Sequence, residues 1–190
     1  MNKRNIVVLF GGQSSEHEIS CISAVTIMKN INKDKYNIYP VGITKEGNWR
    51  IYHGKIEDLT VDSWGGNSDN AIISPDATDK SLIIFKEDGI VKVDVDIVFP
   101  ALHGLYGEDG SVQGLLELAG IPYVGCGILA SSVSMDKLFT KVIVDRLGIR
   151  QAKYVPVYKK EMDDIKEVVA KIERQLEYPV FVKPSNAGSS

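Results

Sequence analysis

Several features that define simple functional classes are absent from this sequence. Only two of its 190 residues, Cys21 and Cys126, are cysteines, and no CxxC or Cys/His cluster accompanies them. A disulfide scaffold and a cysteine metal site are therefore not indicated. Lys and Arg total 22 against 25 Asp and Glu, and the net charge is −3. That balance gives no electrostatic basis for binding nucleic acid or an anionic membrane.

Long apolar runs are also lacking, and none could span a bilayer. The run Ile6 to Phe10 is shorter than the hydrophobic region of a signal peptide and ends in Gly11-Gly12 rather than at a cleavage site. With 44% hydrophobic and 25% charged residues, the composition is ordinary for a soluble globular protein. We therefore expect a cytoplasmic protein.

Strands and helices alternate at the start of the chain. The β-branched run 5–10 is typical of a strand buried on both faces of a parallel sheet. A helix to about residue 30 follows, with Ile19, Ile22 and Ile27 on one face. A strand at 36–44 would complete a βαβ unit with a right-handed crossover.

The rest of the pattern predicts further strands and a second domain. In the first domain, short strands are expected at 49–52, 81–86, 89–95, 96–102 and 123–127, and the turn Glu87-Asp88-Gly89 is expected to join 81–86 and 89–95 as a hairpin. The polar stretch 62–80 is interpreted as a surface excursion. Beyond residue 125, helices are expected at 128–147 and 162–177, and strands at 152–158 and 180–183. Because the polar loop 184–190 has no strand after it, we expect the second domain to be incomplete.

The first glycine turn, Gly11-Gly12, leads into a helix start that contains Glu16 and Glu18. Such a turn commonly binds phosphate, because free N–H groups point out of the helix. Here GxGxxG is absent and two carboxylates occupy the place of a phosphate, which suits an ammonium group better. Acidic residues in a first helical turn also oppose the helix dipole, and capping is the simpler interpretation of this pattern taken alone.

A second glycine turn, His103 to Gly110, follows the strand expected at 96–102. Ligands of open α/β sheets bind beyond the carboxyl ends of the strands, where this turn would lie. His103 is suited to bond a carboxylate or to orient another side chain, while Glu108 and Asp109 are expected to cap the next helix. A tight turn with a structurally satisfied histidine explains these residues equally well.

Two lysines are candidates for binding nucleotide phosphates. Lys183 ends the apolar run 179–182, where an ammonium group costs desolvation unless it meets an anion. The loop Gly188-Ser189-Ser190 offers N–H groups and hydroxyls that suit phosphate oxygens. No P-loop consensus is present, and a lysine that reaches solvent from a strand end fits as well. Lys137, on a helix, is more simply a solvated side chain.

Four segments, taken in order, resemble the D-alanine–D-alanine ligases of the ATP-grasp group. They are GGQSSEHEIS at 11–20, HGLYGEDGSVQGLLELAGIPYVGCG at 103–127, SMDK at 134–137 and VKPSNAGSS at 182–190. The resemblance implies an α/β fold with a Rossmann-like parallel-sheet domain at 1–125 and the incomplete start of an ATP-grasp domain at 126–190. It implies an enzyme for peptidoglycan precursors: ATP converts one D-alanine carboxylate into an acyl phosphate, which the amine of a second D-alanine attacks.

The resemblance also assigns roles to matching positions. Glu16 is expected to bind the ammonium of the first D-alanine and to share a catalytic hydrogen-bonded set with Ser189 and a tyrosine. Ile19 is expected to pack near the methyl group of that substrate, and His103 to help orient it. The ATP phosphates are expected to be bound by three residues: Lys137, Lys183 and Ser190.

The remaining parts of such a site are expected beyond residue 190. They include the ligands of the implied Mg²⁺ or Mn²⁺ ions, so no metal ligand is assigned here and this chain is expected to be inactive alone. The family also implies a homodimer. The alternatives are a D-alanine–D-lactate or D-alanine–D-serine ligase, a glutathione synthetase-like enzyme, which should lack the 103–127 segment, and a non-catalytic small-molecule-binding protein.

Overall fold

Strands form one sheet in the computed structural model, which describes residues 2–60 and 62–186. The strands are β1 Arg4–Gly11, β2 Tyr36–Ile43, β3 Trp49–Tyr52, β4 Ser68–Ile73, β5 Ser81–Lys86, β6 Gly89–Asp94 and β7 Ile97–Pro100. The helices are α1 His17–Asn30, α2 Ser111–Leu118, α3 Ile128–Met135, α4 Lys137–Arg146 and α5 Ile165–Glu173. Short 3-10 helices lie at Ile56–Thr60, Asp62–Gly66 and Lys159–Glu161. In the described ranges, no helix is long and apolar enough to cross a membrane.

The strand β1 lies inside the sheet, whose order is β6-β5-β4-β3-β2-β1-β7. Its side chains are apolar on both faces, and Val7, Val8, Leu9 and Phe10 are fully buried. It pairs in parallel with β2 on one side and with β7 on the other. The carboxyl ends of these three strands therefore lie at one edge of the sheet, where the two glycine turns follow β1 and β7.

Helices cover both faces of this sheet and define two apolar clusters. On one face, α1 and the first two 3-10 helices pack over Ile6, Val8 and Phe10. On the other face, α2 packs over Val7 and Leu9. Burying apolar area on both sides of β1 is the main favourable term for this fold, at about 25 cal/mol per Å² removed from water.

A close aromatic contact completes the first cluster. The rings of Phe10 and Trp64 lie 5.0 Å apart between centroids at an interplanar angle of 63°, which is an edge-to-face arrangement. Gly42 on β2 makes room for it, because a Cβ there would lie 2.2 Å from the Trp64 ring. A side chain at this position would displace the indole from the core.

The predicted α/β class is confirmed, but the sheet is mixed rather than parallel throughout. Only β2, β1 and β7 are parallel, whereas β3, β4, β5 and β6 extend the sheet by antiparallel pairing. The hairpin expected at Glu87-Asp88-Gly89 joins β5 to β6. Antiparallel neighbours need only short connections, so these four strands follow one another in the chain without crossovers.

The interpretation of residues 62–80 as a surface excursion is wrong. This stretch contains a 3-10 helix that buries Trp64, and the strand β4, which lies between β3 and β5. Only alternate residues of β4, Ala71 and Ile73, face the core. A strand with one buried face needs only that alternation, and the polar residues around it concealed the pattern.

Beyond residue 125, several predicted elements differ from the structure. The strands expected at 152–158 and 180–183 are not formed, and the strand expected at 123–127 is reduced to one bridge between Val98 and Tyr123. The helix expected at 162–177 is limited to α5, and the one at 128–147 divides into α3 and α4. A strand needs a hydrogen-bonding neighbour, and no described segment pairs with 152–158 or 180–183.

The helix α1 also differs from its prediction in its buried face. It begins at His17, and its buried residues are His17, Ser20, Cys21, Ala24, Val25 and Met28. The expected face carries Ile19 and Ile22, whose side chains are about half exposed. Small residues permit a close approach of α1 to the sheet, and they outweigh the apolar spacing that suggested the other face.

The buried hydroxyl of Ser20 joins α1 to both glycine turns. Ser20 Oγ accepts a hydrogen bond from the Gly11 N–H at 2.8 Å and donates one to the Ala101 carbonyl at 2.6 Å. Gly11 ends β1, and Ala101 directly follows β7. One side chain therefore satisfies a backbone group in the last residue of β1 and another in the residue after β7.

We expect Ser20→Ala to lower the free energy of unfolding by about 2–6 kcal/mol, because two buried backbone groups lose their partner at about 1–3 kcal/mol each. Urea denaturation followed by tryptophan fluorescence measures the change. Thr26→Ala is the matched control, since Thr26 donates to Ile22 on the exposed side of the same helix, and we expect a change within about 0.5 kcal/mol. Equal effects of the two substitutions would contradict the bridging role.

Candidate functional site

The carboxylate of Glu16 lies where the two glycine turns meet. Glu16 directly precedes α1, and its Oε2 lies 3.1 Å from the place where a Cβ on Gly104 would stand. The same Cβ would lie 2.6 Å from Ser14 Oγ, and Gly104 has a φ of +71°. Only glycine fits this close approach without strain.

The two acidic residues of the first turn have different surroundings. The Glu18 carboxylate accepts a hydrogen bond from Lys45, which holds the pKa of Glu18 below its usual value. The half-buried Glu16 carboxylate has no hydrogen-bond or ion-pair partner within residues 2–60 and 62–186. Capping does not explain it, because the helix start has no side-chain cap. Glu16 is therefore the carboxylate available to a cationic ligand.

His17, between these two residues, has a structural role. Its ring is buried, and Nδ1 lies 2.8 Å from the Gly12 carbonyl oxygen. The imidazole thereby holds the first glycine turn against the start of α1. It is not accessible to a ligand.

His103 lies at the beginning of the second turn, partly buried. Its Nε2 lies 3.0 Å from Ser23 Oγ on α1. The other ring nitrogen, Nδ1, has no hydrogen-bond partner in the described part of the chain. Sequence reasoning identified His103 but missed Ser23, although the spacing of Ser20 and Ser23 places them on one side of the helix.

The second turn is fixed by its own carboxylates. The Gly104 N–H donates to Glu108 Oε2 at 2.8 Å, so Glu108 closes the turn instead of capping α2. Asp109 accepts from the N–H groups of Tyr106 and Ser111, both at 2.9 Å. Burial acts to raise the pKa of Asp109, but these amide hydrogen bonds lower it below its usual value. The turn is therefore preorganised before any ligand binds.

Ile19 does not line the small cavity that lies between the two glycine turns. Ile19 is 53% exposed on α1, so its side chain is accessible to a ligand. A cavity of about 230 Å³ lies between the turns and α2, lined among others by Trp49, Leu102, His103 and Tyr106. Glu16 is not part of its lining.

The two candidate lysines lie in segments that the structure brings together. The Lys137 N–H donates to the Ser185 carbonyl at 2.8 Å, and the Ser185 hydroxyl donates to Asp136 Oδ1 at 2.7 Å. Lys183, two residues earlier, is exposed. Sequence reasoning did not anticipate this link, since Asp136 and Ser185 are 49 residues apart.

Asp136 is the centre of that link. Its Oδ1 also accepts from the N–H groups of Leu138 and Phe139, which caps α4. Burial acts to raise the pKa of Asp136. The hydrogen bond from Ser185 and those from the two amides outweigh burial and lower this pKa.

Other predicted site residues are not placed at this centre. Ser189 and Ser190 lie outside the described residues, so their expected roles stay predictions. Across 2–60 and 62–186, no group of three or more His, Cys, Asp or Glu side chains could hold a metal ion.

Two sequence models of one family match the chain. The model for the N-terminus of D-Ala D-Ala ligases matches residues 5–126, and the model for their C-terminus matches residues 143–190. The chain belongs to the D-alanine–D-alanine ligase family. The family recognised from the four segments is thereby confirmed.

Individual ligases of this family agree with that assignment. A D-alanine–D-alanine ligase of Caldicellulosiruptor bescii is 53% identical over the whole chain, which covers 52% of that protein. One of Acetivibrio thermocellus is 48% identical, with 54% of its length covered. The chain thus spans about half the length of the curated relatives it matches.

Solved structures of ligases match the fold as well. The VanG D-Ala:D-Ser ligase of Enterococcus faecalis has a TM-score of 0.87 at 38% identity, covering 99% of this chain and 54% of that one. The D-alanine–D-alanine ligase of Coxiella burnetii has a TM-score of 0.76 at 32% identity, covering 90% and 50%. The mixed seven-stranded sheet therefore belongs to the ligase fold.

We expect the Leu138 and Phe139 amide signals in an NMR pH titration to report a midpoint below 3.8, the ordinary pKa of an aspartate. Because the pKa of Asp136 is lowered in the fold, its stabilising effect is complete above the unfolded pKa and is lost as the pH falls through the folded one. Ser185→Ala should move this midpoint upward. A midpoint at or above 3.8 in the unsubstituted chain would exclude the proposed cause.

Proposed function

We propose that this chain provides the first D-alanine site, and part of the ATP site, of an ATP-dependent ligase that makes a D-alanyl dipeptide for peptidoglycan. The Glu16 carboxylate, which has no partner among the described residues and lies against Gly104, next in sequence to His103, carries this proposal. Family membership supports the reaction class, and the contrast with the paired Glu18 supports the choice of residue.

Glu16 and His103 would bind the two ends of an amino acid. The Glu16 carboxylate pairs with the ammonium group, and the imidazole of His103 donates to the carboxylate. Fixing both ends orients a carboxylate oxygen for attack on the γ-phosphorus of ATP, with ADP as leaving group. The amine of the second D-alanine then attacks the acyl phosphate and releases phosphate. Ile19 lines the site on the side of the methyl group.

The ATP phosphates would be bound through the segments that Ser185 joins. Lys137 and Lys183 supply the positive charge, and Ser190 would donate from the loop that follows. The link between Asp136 and Ser185 supports this, because it brings the two lysine-bearing segments together. Ser189 would join the hydrogen-bonded set of Glu16. A divalent ion would supply charge neutralisation at the phosphates in this chemistry, and no described residue is assigned to hold it.

We further propose a division into a substrate-binding domain at 1–125 and an ATP-binding domain that begins at 126. The chain spans about half of its relatives, so the 190 residues alone are expected to bind ligands weakly and to catalyse no ligation, because half of the contacts must offset the full ordering cost. The complete enzyme is expected to be a cytoplasmic homodimer.

A chimaera tests the proposal: this chain continued by the C-terminal part of the Caldicellulosiruptor bescii relative. We expect phosphate release from ATP with D-alanine, none with L-alanine, and none from the 190 residues alone. Glu16→Gln should lower kcat/KM for D-alanine by at least about 100-fold, because the ammonium loses its countercharge.

Glu18→Gln is the matched control in the same chimaera. It removes a carboxylate from the same helical turn, but one that is paired with Lys45, so we expect less than about a twofold change. Equal losses in both variants would show that general charge, and not the Glu16 site, supports activity. Phosphate release that does not depend on D-alanine would show that D-alanine is not the substrate.

A D-alanine–D-serine ligase is the second candidate, favoured by the similarity to the VanG D-Ala:D-Ser ligase. The site built from Glu16 and His103 serves the first D-alanine in both cases. Mass spectrometry of the products formed by the natural full-length protein from equal D-alanine and D-serine decides between them. We expect mainly D-alanyl-D-alanine, and a predominance of D-alanyl-D-serine would select the alternative.

A further inference from the structure

The inner side of α1 contacts the segment after β7 at successive points. Glu16 approaches Gly104, the Ser20 hydroxyl donates to the Ala101 carbonyl, and the Ser23 hydroxyl lies 3.0 Å from His103 Nε2. Ser20 and Ser23 are separated by three residues, which places both on one side of a helix. The helix therefore fixes the backbone of the second turn and also contacts the histidine ring that the turn presents.

The hydrogen bond from Ser20 limits how far the second glycine turn can move relative to Ser23. Because the Ala101 carbonyl is anchored to α1 through a fully buried hydroxyl, the start of the 103–110 turn cannot shift easily relative to Ser23. The hydrogen bond between Ser23 and His103 then restricts the orientation of the imidazole. Restricting the ring also selects which nitrogen remains for a ligand, since Nδ1 has no partner in the described part of the chain.

We propose that Ser23 is a positioning residue that sets the tautomer of His103. The 3.0 Å contact allows either direction; in the proposed arrangement the Ser23 hydroxyl donates to Nε2, which leaves the proton of the neutral ring on Nδ1 as a donor. The function proposed above, binding of an amino acid carboxylate, requires this tautomer. In the opposite tautomer Nδ1 has a lone pair, which would repel a carboxylate. The hydroxyl of Ser23 thus makes His103 a donor without a net charge on the ring.

Nitrogen-15 NMR of the histidine rings tests the tautomer directly and needs no activity. The chain has three histidines, and His103→Gln identifies the signal of His103. In the unsubstituted chain, at a pH where the imidazole is neutral, we expect the Nδ1–H form to predominate. In Ser23→Ala we expect the Nε2–H form to become the major one. An unchanged tautomer in Ser23→Ala, or Nε2–H in the unsubstituted chain, would overturn the proposal.

Kinetics of the chimaera test the consequence for D-alanine. We expect Ser23→Ala to raise KM for D-alanine about tenfold with a smaller change in kcat, the effect of losing one oriented hydrogen bond to a charged group. Ser23→Thr retains the hydroxyl and is expected to recover most of the affinity. Thr26→Ala removes a hydroxyl one turn further along the exposed side of α1 and should change neither constant. Alanine favours a helix, so Ser23→Ala is expected to fold.

The two measurements separate this proposal from the function on which it rests. If the chimaera does not use D-alanine, the proposed function is wrong. The NMR measurement of the His103 tautomer still tests the role of Ser23 in that case. If the chimaera uses D-alanine and Ser23→Ala has an unchanged KM and tautomer, the role of Ser23 fails and the proposed function stands.

Discussion

The hydrogen bonds of the buried Ser20 hydroxyl are the constraint on which the candidate site depends. Parallel strands end at a common edge, but that alone does not fix the positions of the loops after them relative to each other. Ser20 bonds the end of β1 and the residue after β7 to the same turn of α1. This places Glu16, from the loop before the helix, beside Gly104 in the other turn. The site is therefore formed by two loops and one helix, and a fully buried hydroxyl holds them together.

The sequence predicts the first domain well where a local pattern is sufficient. The strand β1 follows from an unbroken apolar run that begins with three β-branched residues, and the β5–β6 hairpin follows from its turn residues. The strand β4 was missed because only Ala71 and Ile73 face the core, among polar neighbours. The predicted face of α1 was wrong because small residues, rather than Ile19 and Ile22, pack against the sheet. Local patterns do not report such long-range packing.

The same distinction applies to the candidate site. Glu16 was noticed because a carboxylate occupies the usual place of a phosphate, a signal contained in ten residues. The partner of His103 lies 80 residues away, and the link between Asp136 and Ser185 spans 49. Neither pairing has a sequence signal of its own. The strands predicted at 152–158 and 180–183 are not formed for a related reason. Phe181 and Val182, in the apolar run 179–182, are 89% and 93% exposed, and an apolar sequence cannot form a strand without a neighbour to pair with.

The ion pair between Lys45 and Glu18 changes the net charge that the first glycine turn presents to a ligand. With both carboxylates unpaired, the first turn would present two negative charges and would attract divalent cations and diamines. Lys45, from the loop after β2, cancels one of them. Among the described residues, the turn then presents one unpaired carboxylate, that of Glu16, and this suits the single ammonium group of the amino acid proposed as substrate. In the proposed function, discrimination by charge number would therefore depend on Lys45, a residue at the surface, before any contact with the side chain of the substrate.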